Sequence, residues 1–292
     1  MSSLTIAVLS YNNGEHIEQL LQSILQQEDA NFNLLFVDNA STDNTWEIIS
    51  SFQTHFERFR LIQLEENFGE AGGLRKILEQ CNSDYVAIVH GDDVLGKGYS
   101  KAAHKNILKY PKAIVISFPI MHFSSDLSEP QLIGTSSWSK SRFLNRLLVC
   151  GLNPAIMPGV VINLRRTNLI DIFSRPFPGR YNADVLFWTR FARSGLKIRK
   201  ARDLEYFYRR YPKQSSNSKD NNEILAESRI RIINEANSLF EKNLSRATIK
   251  KEEKLFPGYS GFRDLKDFKL SQPRQLFFGS LNFLVRLITK LY

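Results

Sequence analysis

The chain has 292 residues, of which 42% are hydrophobic and 24% charged, and its formal net charge is +9. This length suits one large α/β domain with an appendage or two small domains, and the ordinary composition excludes a chain without a packed core. Cys81 and Cys150 have no zinc-type spacing, which indicates a reducing, cytosolic compartment. No secretory signal is expected, and no apolar stretch reaches the roughly 20 residues that cross a bilayer.

The first half of the chain alternates between two kinds of apolar pattern. Short continuous apolar runs predict strands at 4–9, 32–37, 60–64 and 85–89. Apolar residues at helical spacing predict helices at 17–25, 45–52 and 71–81. Strands alternating with helices predict an α/β fold with a mostly parallel sheet and helices on both faces.

The second half loses this alternation. Strands are expected at 113–119 and 160–164, a polar loop at 124–138, and helices at 184–193 and 224–239. Gly195 is a plausible end for the first of these two helices.

Asp92 and Asp93 directly follow the apolar run Tyr85–Val89. The carboxyl ends of strands are where open α/β sheets bind ligands. Two adjacent carboxylates are costly to hold without a cation, so a metal bound to phosphates is the natural partner. The structural alternative is a solvated turn, which Gly91 and Gly96 would favour.

Three other segments also follow predicted strands. Residues 10–14 offer an aromatic ring and side-chain donors that could hold a base, residues 38–43 begin with an aspartate, and residues 67–73 bring glycines to a helix start, where phosphates bind. A turn or helix cap explains residues 10–14 equally well, and it is the favoured interpretation of residues 38–43 taken alone. Together they would serve base, ribose, diphosphate and metal in one crevice. No P-loop and no dinucleotide fingerprint is present.

In order and spacing, these segments resemble the motifs of glycosyltransferase family two, which has the GT-A fold. The resemblance covers about residues 4 to 215. Thr5–Asn12 is similar to the family's opening strand, and Val37–Asp43 is similar to its D-D-G-S-T-D segment. Asn67–Gly69 matches N-x-G, and Val89–Asp93 falls where the family has its D-x-D-type motif. Asp184–Arg190, followed by Gly195, matches E-D-x-x-L-x-x-R-x-x-x-x-G, and Tyr208–Arg210 matches Y-R.

The resemblance implies inverting, metal-assisted transfer of a sugar from a nucleotide-diphosphate donor to an acceptor hydroxyl, in bacterial surface polysaccharide or glycolipid synthesis. Asp184 would be the base; without the resemblance, a helix N-terminal acid is the favoured interpretation of this residue. The cation, Mn²⁺ or Mg²⁺, would be held by Asp92, with Asp93 as second candidate. The donor would be bound by the following residues: Tyr11, Asn12 and Asp38 on the base side, and Asn67, Gly69 and Asp92 on the diphosphate side.

Four positions depart from the family pattern. His90 stands in place of the first D-x-D aspartate, where it is either a third metal ligand or a hydrogen-bonded structural residue. Ala183 replaces the acid that usually precedes the base, and Asn39 replaces the second aspartate of D-D-G-S. Tyr211 stands where several members have a histidine, which puts a further protein ligand for the metal in doubt.

The resemblance predicts a catalytic domain at 1–215, with a nucleotide-binding half at 1–112 and an acceptor half at 113–215. A basic helical extension is predicted at 216–292. From Lys242 onward it has eleven basic and four acidic residues, a net +7, and the segment 275–292 is apolar at helical spacing. This segment would lie on an anionic membrane or pack on the catalytic domain. Membrane docking would suit a lipid-linked saccharide acceptor at the inner face of the cell membrane.

Two other function classes are weighed. A nucleotidyltransferase making nucleotide sugars should carry a basic, glycine-rich loop after the first strand, and residues 10–14 lack one. A basic nucleic-acid binder should interleave aromatic and basic residues, and the tail does not, so no nucleic-acid partner is expected. The donor sugar, its base, the acceptor and the oligomeric state stay open.

Overall fold

The computed structural model describes residues 2–124, 131–133 (backbone only), 157–167, 187–188, 190, 198–203 and 205–211. Asp184, the helix predicted at 224–239, the apolar segment 275–292 and the proposed domain boundary near 215 lie outside these residues and stay predictions. No helix within the described ranges is long and apolar enough to cross a membrane.

The described residues form eleven strands and four α-helices. The strands are β1 Leu4–Ser10, β2 Asn33–Asp38, β3 Phe59–Gln63, β4 Tyr85–His90, β5 Val94–Leu95, β6 Val115–Ser117, β7 Ile120–Phe123, β8 Gln131–Ile133, β9 Val160–Asn163, β10 Ile198–Lys200 and β11 Tyr206–Arg209. The helices are α1 Ile17–Leu25, α2 Thr45–Ser51, α3 Gly69–Gln80 and α4 Tyr99–Lys109, with single 3₁₀ turns at Gln53–His55 and Leu164–Arg166.

The main sheet has seven strands in the order β10-β6-β9-β4-β1-β2-β3. All neighbours are parallel except β9, which runs antiparallel to β4 and β6. The predicted α/β fold with a mostly parallel sheet is therefore confirmed. The strands predicted at 4–9, 32–37, 60–64, 85–89, 113–119 and 160–164 are all found, with small shifts of their ends.

Helices cover both faces of this sheet, and β1 is therefore buried on each side. Ile6 and Val8 point into one apolar cluster with the buried stripe of α1. Ala7 and Leu9 point into a second cluster with the buried stripe of α3. A period of two along the strand puts successive side chains on opposite faces. A Cβ added at Gly73 of α3 would lie 2.2 Å from Leu9 Cδ1, so glycine lets α3 pack closely against β1.

A second sheet of four strands, in the order β5-β11-β7-β8, was not predicted. Its strands have two to four residues each, and β11 pairs with β5 and β7 across more than 80 positions of sequence. The loop predicted at 124–138 was wrong at 131–133, which pair with β7. Helix α4 was also missed. The short strands of the second sheet carry no local signal, because their stability comes from distant partners.

Candidate active site

The carboxyl ends of β1, β2 and β4 lie side by side. Ser10 pairs in register with Asp38, and Leu9 pairs with His90. The segments that follow these strands therefore meet at one edge of the sheet, as the sequence predicts. Tyr11, 43% exposed, lies at this edge.

Hydrogen bonds fasten the loop after β1 to the loop after β2. The Asn12 side-chain oxygen accepts the Thr42 N–H at 2.8 Å, and the Asn12 N–H donates to Ser41 Oγ at 2.9 Å. Asn12 has φ +51°, a left-handed conformation that asparagine tolerates better than most residues. The described contacts of Asn12 thus order the loops, and its predicted role in donor binding stays a prediction.

Asp38 is fully buried and already accepts hydrogen bonds. Its carboxylate accepts the Ser41 N–H at 3.2 Å, the Ser41 hydroxyl, and Gln63 Nε2 at 3.3 Å. A carboxylate offers about four acceptor positions, and residues of this chain fill three of them. Base recognition by Asp38 stays a prediction.

Asn39 connects the end of β2 to the start of α3. Its amide donates to Asn67 Oδ1 at 3.0 Å and to the Gly69 carbonyl at 3.1 Å, and its oxygen accepts the Phe68 N–H at 3.1 Å. Asn67 Oδ1 also accepts the Gly69 N–H at 2.8 Å, and Gly69 has φ +69°. An aspartate could not donate these bonds, so the departure from the family pattern at Asn39 has a structural reason. Asn67 and Gly69 lie at the predicted crevice, and Phe68 beside them is 50% exposed.

Asp93 holds the second sheet against the end of β4. It is fully buried, and its carboxylate accepts the Tyr206 hydroxyl at 2.7 Å and the Arg209 N–H at 3.0 Å. Burial, together with the nearby charge of Asp92, raises the pKa of Asp93 well above its usual range, and the two hydrogen bonds oppose this shift.

Asp92 lies at the same turn and is 8% exposed. The Arg209 Nε donates to the Asp92 carbonyl at 2.7 Å, and the Arg209 guanidinium lies 4.5 Å from the centre of the Phe123 ring. The Tyr211 hydroxyl hydrogen-bonds the Asp92 carboxylate, and the Tyr211 ring meets His16 edge-on at 4.8 Å. Neither His16 nor Tyr211 was among the predicted site residues. The only signal for Tyr211 was its position after the Y-R motif.

His90 completes a group that could hold a divalent cation. Ligand atoms of His90, Asp92 and Asp93 lie within 4.8 Å of one another. The buried Nε2 of His90 has no hydrogen-bond partner within the described part of the chain and lies 3.5 Å from Glu70 Oε1. Burial lowers the pKa of His90, against the opposing charge of Asp92, and so favours the neutral imidazole that binds metals. An imidazole with carboxylates suits Mn²⁺, so these residues fit the predicted cation.

The motif around the predicted base is described only in part. Phe187, Trp188 and Arg190 are helical, as predicted, and buried. Phe187 and Trp188 meet edge-on at 5.3 Å within the apolar cluster that includes residues of β4 and β9. The structure therefore anchors Phe187 and Trp188 of this motif in the core.

Comparison with known proteins gives a consistent result. Residues 5–173 match the profile of Glycosyl transferase family 2. A putative teichuronic acid biosynthesis glycosyltransferase, TuaG of Bacillus subtilis, is 34% identical over 90 residues, which are 31% of this chain and 36% of that protein. The poly(ribitol-phosphate) β-N-acetylglucosaminyltransferase TarS of Staphylococcus aureus is 25% identical over 213 residues, which are 71% of this chain and 35% of that protein. The chain thus spans about a third of the length of these two curated relatives.

Solved structures share the fold. Residues 1–349 of S. aureus TarS, in complex with UDP-GlcNAc, superpose with a TM-score of 0.65 at 20% identity, covering 93% of this chain and 76% of that one. A mannosyltransferase from Pyrobaculum calidifontis, in complex with GDP-Man and Mn²⁺, gives a TM-score of 0.55 at 15% identity, covering 99% and 80%. The profile match extends over more than half of the sequence and agrees with the fold and the edge motifs: the chain belongs to glycosyl transferase family 2 and is a GT-A glycosyltransferase.

Proposed function

We propose that this glycosyltransferase transfers a sugar, with inversion and with the help of a divalent cation, from a nucleoside diphosphate donor to a hydroxyl of a cell-surface polymer or glycolipid. The observation that carries this proposal is the grouping of His90, Asp92 and Asp93 at the end of β4, beside the loops that follow β1 and β2. The relatives named for teichuronic acid and poly(ribitol-phosphate) support a polymer acceptor.

On the donor side, Tyr11 and Asp38 would bind the base, and Gly69 at the start of α3 would lie by the diphosphate. Helix N-termini favour phosphate, because their free N–H groups and the helix dipole attract anions. Uridine is the first base to test, since the TarS structure holds UDP-GlcNAc, although the mannosyltransferase structure holds a guanosine nucleotide.

His90, Asp92 and Asp93 would hold the cation. When bound, it would neutralise the negative charge that develops on the leaving diphosphate. The Tyr211 hydroxyl and the Arg209 side chain keep Asp92 in place before the donor arrives. Asp184 would take the proton from the acceptor hydroxyl, a role that contributes about 10²–10⁴-fold in rate.

Thermal unfolding with nucleoside diphosphates tests the donor and metal assignments together. At about 100 times its dissociation constant, a bound nucleotide should stabilise the wild type by about 2.7 kcal/mol, and more strongly with Mn²⁺ than without. Asp92→Asn should lose the Mn²⁺-dependent part. Glu57→Gln, which changes an exposed acid two residues before β3, is the matched control and should behave as the wild type. A Mn²⁺ response that survives Asp92→Asn would remove the metal assignment.

Asp184→Asn tests the base assignment separately. The variant should keep the nucleotide-dependent stabilisation of the wild type and lose about 100-fold or more of its transfer rate. Full transfer activity in this variant would show that Asp184 is not the base.

We also propose that the enzyme works at the inner face of the cell membrane, held by its basic C-terminal segment. The net +7 from Lys242 onward supports attraction to anionic lipid. Co-sedimentation of the full chain with anionic but not with neutral vesicles is the expected result, and equal binding to both would contradict it.

A further inference from the structure

One face of the second sheet carries two neighbouring rings and a cation. His122 of β7 pairs in register with Tyr208 of β11, and their ring centres are 5.2 Å apart at an angle of 34°. The Arg210 guanidinium lies 6.0 Å from the Tyr208 ring centre. His122 and Tyr208 are half-buried and Arg210 is exposed. We call these three residues the ring platform.

The ring platform adjoins the candidate metal site. Tyr206 and Tyr208 are two positions apart on β11 and so share a face, and the Tyr206 hydroxyl bonds Asp93. The charges of Asp93 and Asp92 also act on Tyr208, raising its pKa together with burial, which is the larger cause.

The two strands of the ring platform follow strands on the far side of β4 from the donor loops, and the end of β11 reaches back to α1. In the sheet order, β1 and β2 are on one side of β4, and β6 and β10 are on the other. The chain passes from β6 into β7 and from β10 into β11, while Arg209 bonds Gln19 of α1 and the Tyr211 ring meets His16 just before α1. A group held on the ring platform would therefore lie next to Asp92.

The chemistry of the ring platform suits a sugar that carries negative charge. Burial, with a smaller contribution from the Arg210 charge, lowers the pKa of His122 to about 4, so its ring is neutral near pH 7. Neutral aromatic rings offer flat apolar surface to a ligand, and an arginine beside them binds phosphate or carboxylate through paired N–H groups.

We propose that His122, Tyr208 and Arg210 form the acceptor subsite, with a sugar or alditol unit against the two rings and an anionic group of the acceptor, phosphate or carboxylate, on Arg210. This inference rests on the proposed function, because it assigns the second substrate of the same transfer. The competing assignment gives Arg210 to the donor diphosphate, and the two assignments predict opposite effects on donor and acceptor binding.

The experiment measures acceptor and donor binding separately by titration calorimetry on the full chain. Acceptor probes are an alditol-phosphate tetramer, a uronic-acid tetrasaccharide and a neutral tetrasaccharide, each added to protein loaded with UDP and Mn²⁺. Donor binding is measured with UDP and Mn²⁺ alone. Arg210→Gln removes the charge and keeps a polar side chain. Arg60→Gln, an exposed arginine on the edge strand β3, is the matched control.

Arg210→Gln should weaken binding of the preferred anionic probe about tenfold, with UDP affinity unchanged within twofold and Arg60→Gln like the wild type. Whether the phosphate or the carboxylate probe binds more tightly identifies the anionic group. Equal effects of Arg210→Gln and Arg60→Gln, equal affinity for all three probes, or a loss confined to UDP binding would each overturn the assignment. If UDP does not bind the wild type, that result counts against the donor proposal. The anionic probes would then be titrated without UDP, and the effect of Arg210→Gln on their binding would still decide the subsite.

Discussion

Replacing Tyr206 by phenylalanine removes one oxygen atom from the link between the two sheets. That hydroxyl donates to the buried Asp93 carboxylate at 2.7 Å and accepts the His90 N–H at 3.3 Å. The ring itself is fully buried and would stay in place. The variant therefore tests whether the polar link, rather than the apolar packing, holds the aspartate turn at the end of β4.

The expected loss of stability follows from the charge of Asp93. A hydrogen bond to a neutral carboxyl contributes about 0.5–1.5 kcal/mol, and one to a carboxylate about 1.5–3 kcal/mol. The folded-state pKa of Asp93 is raised above the usual 3.8, so the contribution of this group to stability is fully present below that value and is lost as pH rises toward the folded pKa. Tyr206→Phe raises this pKa further, so the variant should lose about 1 kcal/mol at low pH and up to about 3 kcal/mol at high pH.

Urea unfolding at pH 5 and pH 8 measures this difference. Tyr99→Phe is the matched control, because Tyr99 is equally buried, its ring centre lies 6.0 Å from that of Tyr206, and its hydroxyl has no hydrogen-bond partner among the described residues. Tyr99→Phe should be neutral or stabilising at both pH values. Equal losses in the two variants, or a Tyr206→Phe loss that does not grow with pH, would refute the reasoning. Weaker Mn²⁺ binding in Tyr206→Phe should accompany the loss if Asp92 and Asp93 hold the cation.

Three further variants test single features. Ala40 has φ +61°, a left-handed conformation that strains alanine. Ala40→Gly should stabilise the protein by about 0.5–1 kcal/mol in urea unfolding, because the relief of this strain exceeds the added entropy of the unfolded chain. A loss of stability would contradict the strain. Asn39→Asp should cost about 1–3 kcal/mol at pH 7, because a carboxylate would face the Gly69 carbonyl, and an unchanged urea midpoint would dismiss this role. The pKa of His122 falls from 6.5 to about 4 on folding. Stability that is present above pH 6.5 is therefore lost as pH falls, by at most about 2 kcal/mol at pH 5, and His122→Phe should lose less stability over that range. Equal pH slopes for His122→Phe and the wild type would show that His122 is not responsible.

The sequence alone was sufficient to predict six of the seven strands of the main sheet, all but β10, and the convergence of segments near Asp92. The strands β1, β2 and β4 are continuous apolar runs, because both of their faces are buried, and this local pattern needs no knowledge of distant residues. Since parallel strands end at one edge, the segments that follow them had to converge, whatever their details. The order of motifs along the chain then led to the family.

The partners of those residues were decided by the tertiary structure. Asp93 bonds Tyr206 and Arg209, which lie 113 and 116 positions away, and the short strand that carries them is stable only through its pairing with β5 and β7. The alternative of a solvated Asp-Asp turn could not be rejected from sequence, because burial of a carboxylate depends on what packs over it. Local apolar patterning fixed where the site would form, whereas contacts between distant segments determined that Asp93 is buried and anchored, that Asp92 lies beside Tyr211, and that two rings and an arginine adjoin them.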